Sequence, residues 1–192
     1  MEAADAYEQH AMEFLRVRDR STIGACMVER WARSLRPNDK LIELGCGGGY
    51  PVTRELVAAG LRVWAVDASP TLIAAFKTRF PGVPVQCSTV SESDFFGQKY
   101  HAAIAIGLLF LLPVYEQVAV IEKVAQKIVP GGRFLFTAPV EIGTWQDINT
   151  AHSCQSLGRA RYQEVWQAAG FELIATYIDE GANNYYELGK PA

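Results

Sequence analysis

The stretch Glu43-Leu44-Gly45-Cys46-Gly47-Gly48-Gly49 separates two segments of different periodicity. Residues 40–44 are largely apolar and predict a short buried strand, whereas residues 53–59 have the period of a helix, with Gly60 just beyond its end. Glycines at a strand-to-helix turn let a ligand lie directly on backbone N–H groups and on the helix N-terminus. We therefore expect a ligand site here; close packing of helix on strand is the alternative role of these glycines.

The spacing of the glycines excludes two common nucleotide motifs. A dinucleotide fingerprint, G-x-G-x-x-G, requires a third glycine where this chain has Tyr50, and no G-x-x-x-x-G-K-[ST] run is present. Gly45, Gly47 and Gly49 instead form G-x-G-x-G. The acid before them, Glu43, would repel a pyrophosphate but attract a ligand's ammonium group.

The alternation of strands and helices continues along the chain and predicts an α/β fold with a parallel sheet. Further strands are expected at 62–66, 83–87, 102–106 and 133–138, and helices at 70–80, 115–129 and 158–169. Pro84 places the third strand near an edge of the sheet. Residues 171–178 and 184–188, separated by a turn-rich linker, predict an antiparallel hairpin.

The N-terminal part of the chain predicts two helices between residues 7 and 35. Ser21 or Thr22 is expected to cap the second helix. We interpret residues 1–36 as a helical lid and residues 37–192 as the main domain, within one globular unit.

Asp67 follows the second strand, 22 residues after Gly45. A carboxylate at this position can accept hydrogen bonds from both hydroxyls of a ribose. The alternative is that Asp67 caps the next helix, but Ser69 is better suited to that role because Pro70 follows it. We therefore expect Asp67 to bind a ribose.

Composition excludes several classes of protein. The 192 residues carry 18 basic and 21 acidic side chains, for a net charge of −3, and 49% of them are hydrophobic. A folded domain is therefore expected, without a nucleic-acid partner. The apolar run 102–114 is too short to span a bilayer, and the acidic N-terminus does not resemble a signal peptide, so no membrane partner and a cytoplasmic location are expected. The four cysteines and three histidines have no metal-ligand spacing, which predicts no metal site.

Three motifs together resemble those of the class I S-adenosylmethionine (SAM)-dependent methyltransferases. They are the glycine stretch 43–49, Val66-Asp67-Ala68-Ser69, and Val129-Pro130-Gly131-Gly132-Arg133-Phe134. The resemblance extends from about Ala32 to the end of the chain. It implies a Rossmann-like, seven-stranded, mostly parallel sheet with an antiparallel last strand and helices on both faces. It also implies SAM as cofactor and S-adenosylhomocysteine (SAH) as its product.

The resemblance also implies a set of cofactor-binding residues. Those expected at the methionine end are Glu43, Gly45, Cys46, Gly47 and Gly49. Asp67 would bind the ribose, Ala68 and Ser69 would lie along the adenine, and Ile106 and Gly107 would border the methyl donor. Many members have an Asp after the third strand for the adenine amino group. This chain has Cys87-Ser88-Thr89-Val90-Ser91, so Ser88 or Ser91 is expected to substitute.

The acceptor should meet the cofactor at the carboxyl ends of the strands. The residues expected to contact a small-molecule acceptor are Tyr7, Arg18, Phe110, Trp145, Glu180 and Tyr185. Methyl transfer by in-line displacement depends on alignment, and a base is needed only for a protonated nucleophile. His152 and Glu180 are candidate bases, but no catalytic residue is assigned.

Two other functions stay open at this level. One is a nicotinamide-binding reductase, which Tyr50 disfavours, and the other is a methyltransferase-like binding protein without turnover. The sequence is compatible with a monomer or a homodimer.

Overall fold

A computed structural model describes residues 3–192 of the chain. The helices are α1 (Ala3–Gln9), α2 (Ala11–Arg18), α3 (Ala25–Arg33), α4 (Val52–Ala58), α5 (Pro70–Arg79), α6 (Val114–Lys127) and α7 (Gly158–Ala168). The strands are β1 (Lys40–Leu44), β2 (Arg62–Asp67), β3 (Val85–Cys87), β4 (Tyr100–Ala105), β5 (Ile128–Thr137), β6 (Ile142–Gln146), β7 (Ser153–Leu157), β8 (Glu172–Ile178) and β9 (Asn184–Gly189).

Seven strands form the main sheet, in the order β3-β2-β1-β4-β5-β9-β8. Strands β1 to β5 pair in parallel, and β9 lies antiparallel between β5 and β8. The predicted Rossmann-like α/β fold is therefore confirmed, including the antiparallel last strand. The proline-shortened third strand is at one edge of the sheet, as predicted.

The two faces of the sheet are covered by different helices because neighbouring residues of each strand point in opposite directions. Ile42 and Leu44 of β1 belong to the larger core cluster, which α6 and α7 complete. Leu41 belongs to a second cluster, with α3 and α4. The central strands are buried on both faces, which explains their almost continuous apolar sequence.

The N-terminal region differs from the prediction of two helices. It forms three, and the third begins after Gly24 rather than after a capping Ser21 or Thr22. Gly24 has φ +81°, and a Cβ there would lie 2.6 Å from the Tyr185 hydroxyl, so only glycine fits without strain. The Ser21 hydroxyl instead accepts a hydrogen bond from Ile23 N.

The structure divides the N-terminal region by its packing. Helix α3 contributes Met27, Val28 and Trp31 to the core. Helices α1 and α2 lie against α5 instead. The division at residue 36 stays a prediction; in the structure, the packing changes between α2 and α3.

Strands β6 and β7 form a separate two-stranded antiparallel hairpin that the sequence did not predict. Most residues of β6 are exposed and lack a clear period-two pattern, which explains why its sequence does not predict a strand. No helix within residues 3–192 is long and apolar enough to cross a bilayer.

Candidate functional site

A cavity of about 390 Å³ lies at the carboxyl ends of the parallel strands. Such a position is where ligands bind in open α/β sheets, and the volume lies within the range of small-ligand pockets. Its walls come from the glycine loop, the ends of β2 and β3, the segment after β4, the β6–β7 hairpin and helix α1. The lining residues are Ala3, Ala4, Tyr7, Phe14, Gly45, Gly47, Asp67, Ala68, Ser69, Leu72, Ser88, Thr89, Val90, Gly107, Leu108, Leu111, Leu112, Pro113, Tyr115, Glu116, His152, Ser153 and Gln155.

The glycine loop leaves room for a ligand because two of its residues on the wall have no side chain. Gly45 and Gly47 both line the cavity, and Gly47 has φ +54°. A Cβ at Gly47 would lie 3.3 Å from the Phe14 ring and would fill space at the wall. The loop therefore has the form of a cradle that a larger residue would close.

Asp67 lies at the end of β2, on the cavity wall. Its Oδ2 accepts a hydrogen bond from Gly47 N at 2.7 Å, and its Oδ1 accepts one from Ser69 N at 2.9 Å. Burial raises the pKa of Asp67, and these N–H donors oppose that shift. Each carboxylate oxygen retains a lone pair for a further donor, which fits a pair of ribose hydroxyls.

The residues predicted to lie along the adenine also line the cavity wall. Ala68, Ser69 and Ser88 all line the cavity. The Ser69 hydroxyl caps α5 by accepting from Leu72 N at 3.1 Å, as the sequence predicted. Ser88 N donates to Asp67 O at 2.9 Å, so the loop after β3 lies next to the end of β2.

Gly107 also lines the cavity. Five of the residues predicted to bind the cofactor do not line it, namely Glu43, Cys46, Gly49, Ser91 and Ile106. Glu43 is 3% exposed, and Thr53 Oγ1 donates to its Oε2 at 2.6 Å. Burial raises the pKa of Glu43 to about 8. The remaining four support the wall from behind or beside it; Ser91, for example, donates to Glu116 Oε2 at 2.7 Å.

Of the six residues expected to contact the acceptor, the structure brings only Tyr7 to the wall. Phe110 and Trp145 pack against each other, with ring centroids 5.4 Å apart. Glu180 accepts from Gly24 N at 3.1 Å, and the Tyr185 hydroxyl donates to Asp179 at 2.8 Å.

Arg18 lies beside these residues of the last hairpin. Burial lowers the pKa of Arg18, while the nearby carboxylates of Asp179 and Glu180 act in the opposite direction. Arg18, Glu180 and Tyr185 therefore join the N-terminal segment to the β8–β9 turn, and this cluster lies outside the cavity.

His152, one of the two candidate bases, lies on the cavity wall. Its Nε2 is 3.1 Å from Leu111 O. A carbonyl oxygen can only accept, so in the neutral ring Nε2 carries the hydrogen and Nδ1 is the free acceptor. Ser153 and Gln155 from β7 line the same region and were not predicted, because the hairpin that presents them was not predicted.

Helix α1 contacts the rest of the chain on two sides. Burial and the nearby Asp147 carboxylate in the β6–β7 loop raise the pKa of the Tyr7 hydroxyl above its ordinary value. On the other side of α1, Glu8 accepts from the Ser69 hydroxyl and from Thr71 Oγ1, the latter at 2.7 Å. Helix α1 thus connects the adenine side of the cavity to the hairpin.

The described residues contain no group of three or more His, Cys, Asp or Glu side chains arranged to hold a metal ion. Cys46 and Cys154 are buried free thiols, and burial raises the pKa of each. The chemistry of the cavity is therefore described by its backbone N–H groups, carboxylates, hydroxyls and His152.

The chain is similar to known methyltransferases. Residues 41–132 match the methyltransferase domain family. A ubiquinone biosynthesis O-methyltransferase of Xanthomonas campestris is 23% identical over 164 residues, 84% of this chain and 61% of that protein. The mouse EEF1A lysine methyltransferase 4 is 29% identical over 118 residues, 53% of this chain and 46% of that protein. The chain thus spans about three fifths, or less, of the length of these curated relatives.

Structural comparison leads to the same fold. Magnesium protoporphyrin IX methyltransferase from Synechocystis PCC 6803, solved with bound SAM, superposes with a TM-score of 0.70 at 17% identity. The match covers 94% of this chain and 83% of that one. With the strand order, this likeness shows that the chain has the fold of the SAM-dependent methyltransferases, and residues 41–132 of that fold carry the match to the methyltransferase domain family.

Proposed function

We propose that the chain binds SAM in this cavity and transfers its methyl group to a small-molecule acceptor. The observation that carries the proposal is that Asp67 and the side-chain-free surfaces of Gly45 and Gly47 line one cavity. The Synechocystis relative with bound SAM supports the choice of cofactor. Bound SAM supplies a methyl carbon already activated by its sulfonium.

The residues on the wall divide between the two ligands. Gly45, Gly47 and Gly107 face the methionine and methyl region, and Asp67 binds the ribose. Ala68, Ser69 and Ser88 lie along the adenine. Glu43, Cys46, Gly49, Ser91 and Ile106 act by supporting this wall.

The acceptor lies between helix α1 and the β6–β7 hairpin, where Tyr7, Leu111, His152, Ser153 and Gln155 line the cavity. None of the described lining residues is Lys or Arg. An anionic acceptor would have no cationic partner there, so a neutral or cationic acceptor is favoured.

The reaction is an in-line displacement. A bond forms between the acceptor's nucleophilic atom and the methyl carbon, while the carbon–sulfur bond breaks and its electrons stay on sulfur. If the nucleophile carries a proton, Nδ1 of His152 accepts it and later releases it to water. The closed lid excludes water from this step and fixes the approach of the acceptor.

Five of the residues expected to contact the acceptor do not line the cavity, namely Phe110, Trp145, Arg18, Glu180 and Tyr185. Their proposed role is to support the acceptor region from outside the cavity. We also propose that the enzyme works in the cytoplasm, as a monomer or a homodimer, without nucleic acid.

Calorimetry with SAM, SAH and NADH tests the cofactor. We expect binding of the first two and none of NADH; binding of NADH alone would favour a reductase. A methylation screen with phenols, amines and carboxylates, beside tRNA and peptides, tests the acceptor. The O-methyltransferase relative supports a small acceptor, whereas methylation of a peptide alone would overturn that choice. Binding of SAH with no turnover on any acceptor would indicate a binding protein.

A further inference from the structure

The loop after β3 provides few hydrogen-bond acceptors for an adenine. Ser88, Thr89 and Val90 line the cavity there, and none of them carries a carboxylate. The Ser88 hydroxyl donates to Thr89 O at 3.1 Å. The exocyclic amino group of an adenine is a donor and needs an acceptor, which this loop offers only weakly.

A carboxylate from another element lies beside this loop. Glu116, in the first turn of α6, lines the same cavity. Its Oε2 accepts a hydrogen bond from Ser91 Oγ at 2.7 Å. Helix α6 is also joined to the loop by Lys123, whose Nζ donates to Val90 O at 3.0 Å and to Ser91 O at 2.8 Å. These bonds fix the position of Glu116 next to residues 88–91.

Glu116 has capacity for another donor. Among the described residues that line the cavity, Asp67 and Glu116 are the two acids. Asp67 already holds the glycine loop through Gly47 and faces the proposed ribose position. The Glu116 carboxylate accepts from the Ser91 and Tyr115 hydroxyls, and a carboxylate offers about four lone-pair positions.

We propose that Glu116 accepts a hydrogen bond from the exocyclic amino group of the cofactor's adenine, and so selects adenosyl over inosyl ligands. This inference rests on the proposed function. An inosyl ligand has a carbonyl oxygen where adenine has the amino group, so two acceptors would face each other. Discrimination by an unpaired, desolvated polar group is stronger than discrimination by shape.

The test compares SAH with its deaminated analogue, S-inosylhomocysteine, by calorimetry on the full chain. We expect the original protein to bind SAH about tenfold or more tighter than the analogue. In Glu116→Gln, the side-chain amide can donate to the inosyl carbonyl, and the ratio of the two dissociation constants should fall several-fold. Glu122→Gln is the matched control, because Glu122 is an exposed acid of the same helix, and its ratio should not change.

A second variant separates the amino-group contact from a general effect on the cavity. Ser91→Ala removes one hydroxyl that positions Glu116 and should lower the ratio less than Glu116→Gln does. If Glu116→Gln weakens both ligands equally, or changes neither, the inference is wrong, while the proposed function stands. If the original protein binds no SAH, the proposed function itself fails, and the inference with it.

Discussion

Arg79 and Asp19, 60 positions apart in the chain, form a two-point ion pair with N–O distances of 2.8 and 2.6 Å. Arg79 Nη1 also donates to Gly48 O at 3.0 Å. One guanidinium therefore connects the end of α2 with the loop that we propose binds the methionine end of SAM. A planar guanidinium suits this role because its donors are fixed relative to each other.

The first prediction concerns this connection. Asp19→Ala should increase the dissociation rate of SAH several-fold and change the association rate less, because the contact retains the lid after binding. Stopped-flow displacement of SAH measures both rates. Glu13→Ala is the control, since Glu13 pairs at 3.5 Å with Arg16 on the exposed face of α2. Equal rates in both variants would mean that the ion pair does not hold the lid.

The second prediction concerns the ribose. Asp67→Ala should weaken SAH binding by about 1.5–3 kcal/mol, the scale of hydrogen bonds to a charged group. Part of this loss comes from the bonds to Gly47 and Ser69, so Asp67→Asn, which keeps one acceptor oxygen, should lose less. Calorimetry measures both variants. A change below a few tenths of a kcal/mol would limit Asp67 to a structural role.

The third prediction concerns the glycine cradle. Gly47→Ala should abolish or greatly weaken SAH binding, because the added Cβ lies at the cavity wall near Phe14. Gly170→Ala is the matched control: Gly170 also has a positive φ, but a Cβ there meets nothing within 4 Å. Both variants incur backbone strain. If Gly47→Ala and Gly170→Ala lost similar SAH affinity, backbone strain would explain the loss, and Gly47 would not be needed to leave room for the ligand.

The fourth prediction concerns Glu43. Its folded-state pKa of about 8 lies above the ordinary value, so the native state favours the protonated carboxyl. Its contribution to stability is present at low pH and is lost as the pH rises through about 8. Glu43→Gln should therefore lose less stability than the original protein between about pH 5 and pH 8.5. Urea unfolding at both values measures this, with Glu122→Gln as the exposed control. If the free energy of unfolding changed equally with pH in all three proteins, Glu43 would not have a raised pKa in the folded state.

The fifth prediction concerns His152. With an acceptor that reacts through an O–H group, His152→Ala should lower kcat by about 10²–10⁴-fold and leave SAH affinity nearly unchanged. His101→Ala is the control, because His101 is on β4 and accepts from Lys40 N, away from the cavity. Unchanged kcat in His152→Ala would exclude a role as base.

The sequence predicted the sheet well because its signals are local. The apolar strands, the glycine stretch and Ser69 before Pro70 each specify an element without reference to the rest of the chain. The place of Asp67 follows from its position alone, because β2 pairs in parallel with β1 and its end therefore lies next to the glycine loop.

The acceptor side could not be predicted in the same way. Trp145 and Phe110 are expected on the wall because they are aromatic and follow strands, but in the structure their rings pack against each other. Gly24, rather than Ser21 or Thr22, precedes α3. The distant Tyr185 hydroxyl leaves no room for a Cβ at Gly24, and no local sequence pattern encodes that close approach. His152 could be noted from its chemistry, but only the β6–β7 hairpin explains why it meets the cavity.

The β6–β7 hairpin is a sheet of its own and shares no strand pairing with the seven-stranded sheet. The residues it contributes to the cavity, Ser153 and Gln155, can therefore change without altering the register of any strand that carries Asp67 or the glycine loop. In the proposed function, acceptor preference can therefore change independently of cofactor binding. An exchange of residues 142–157 offers a route to new acceptors on an unchanged cofactor platform.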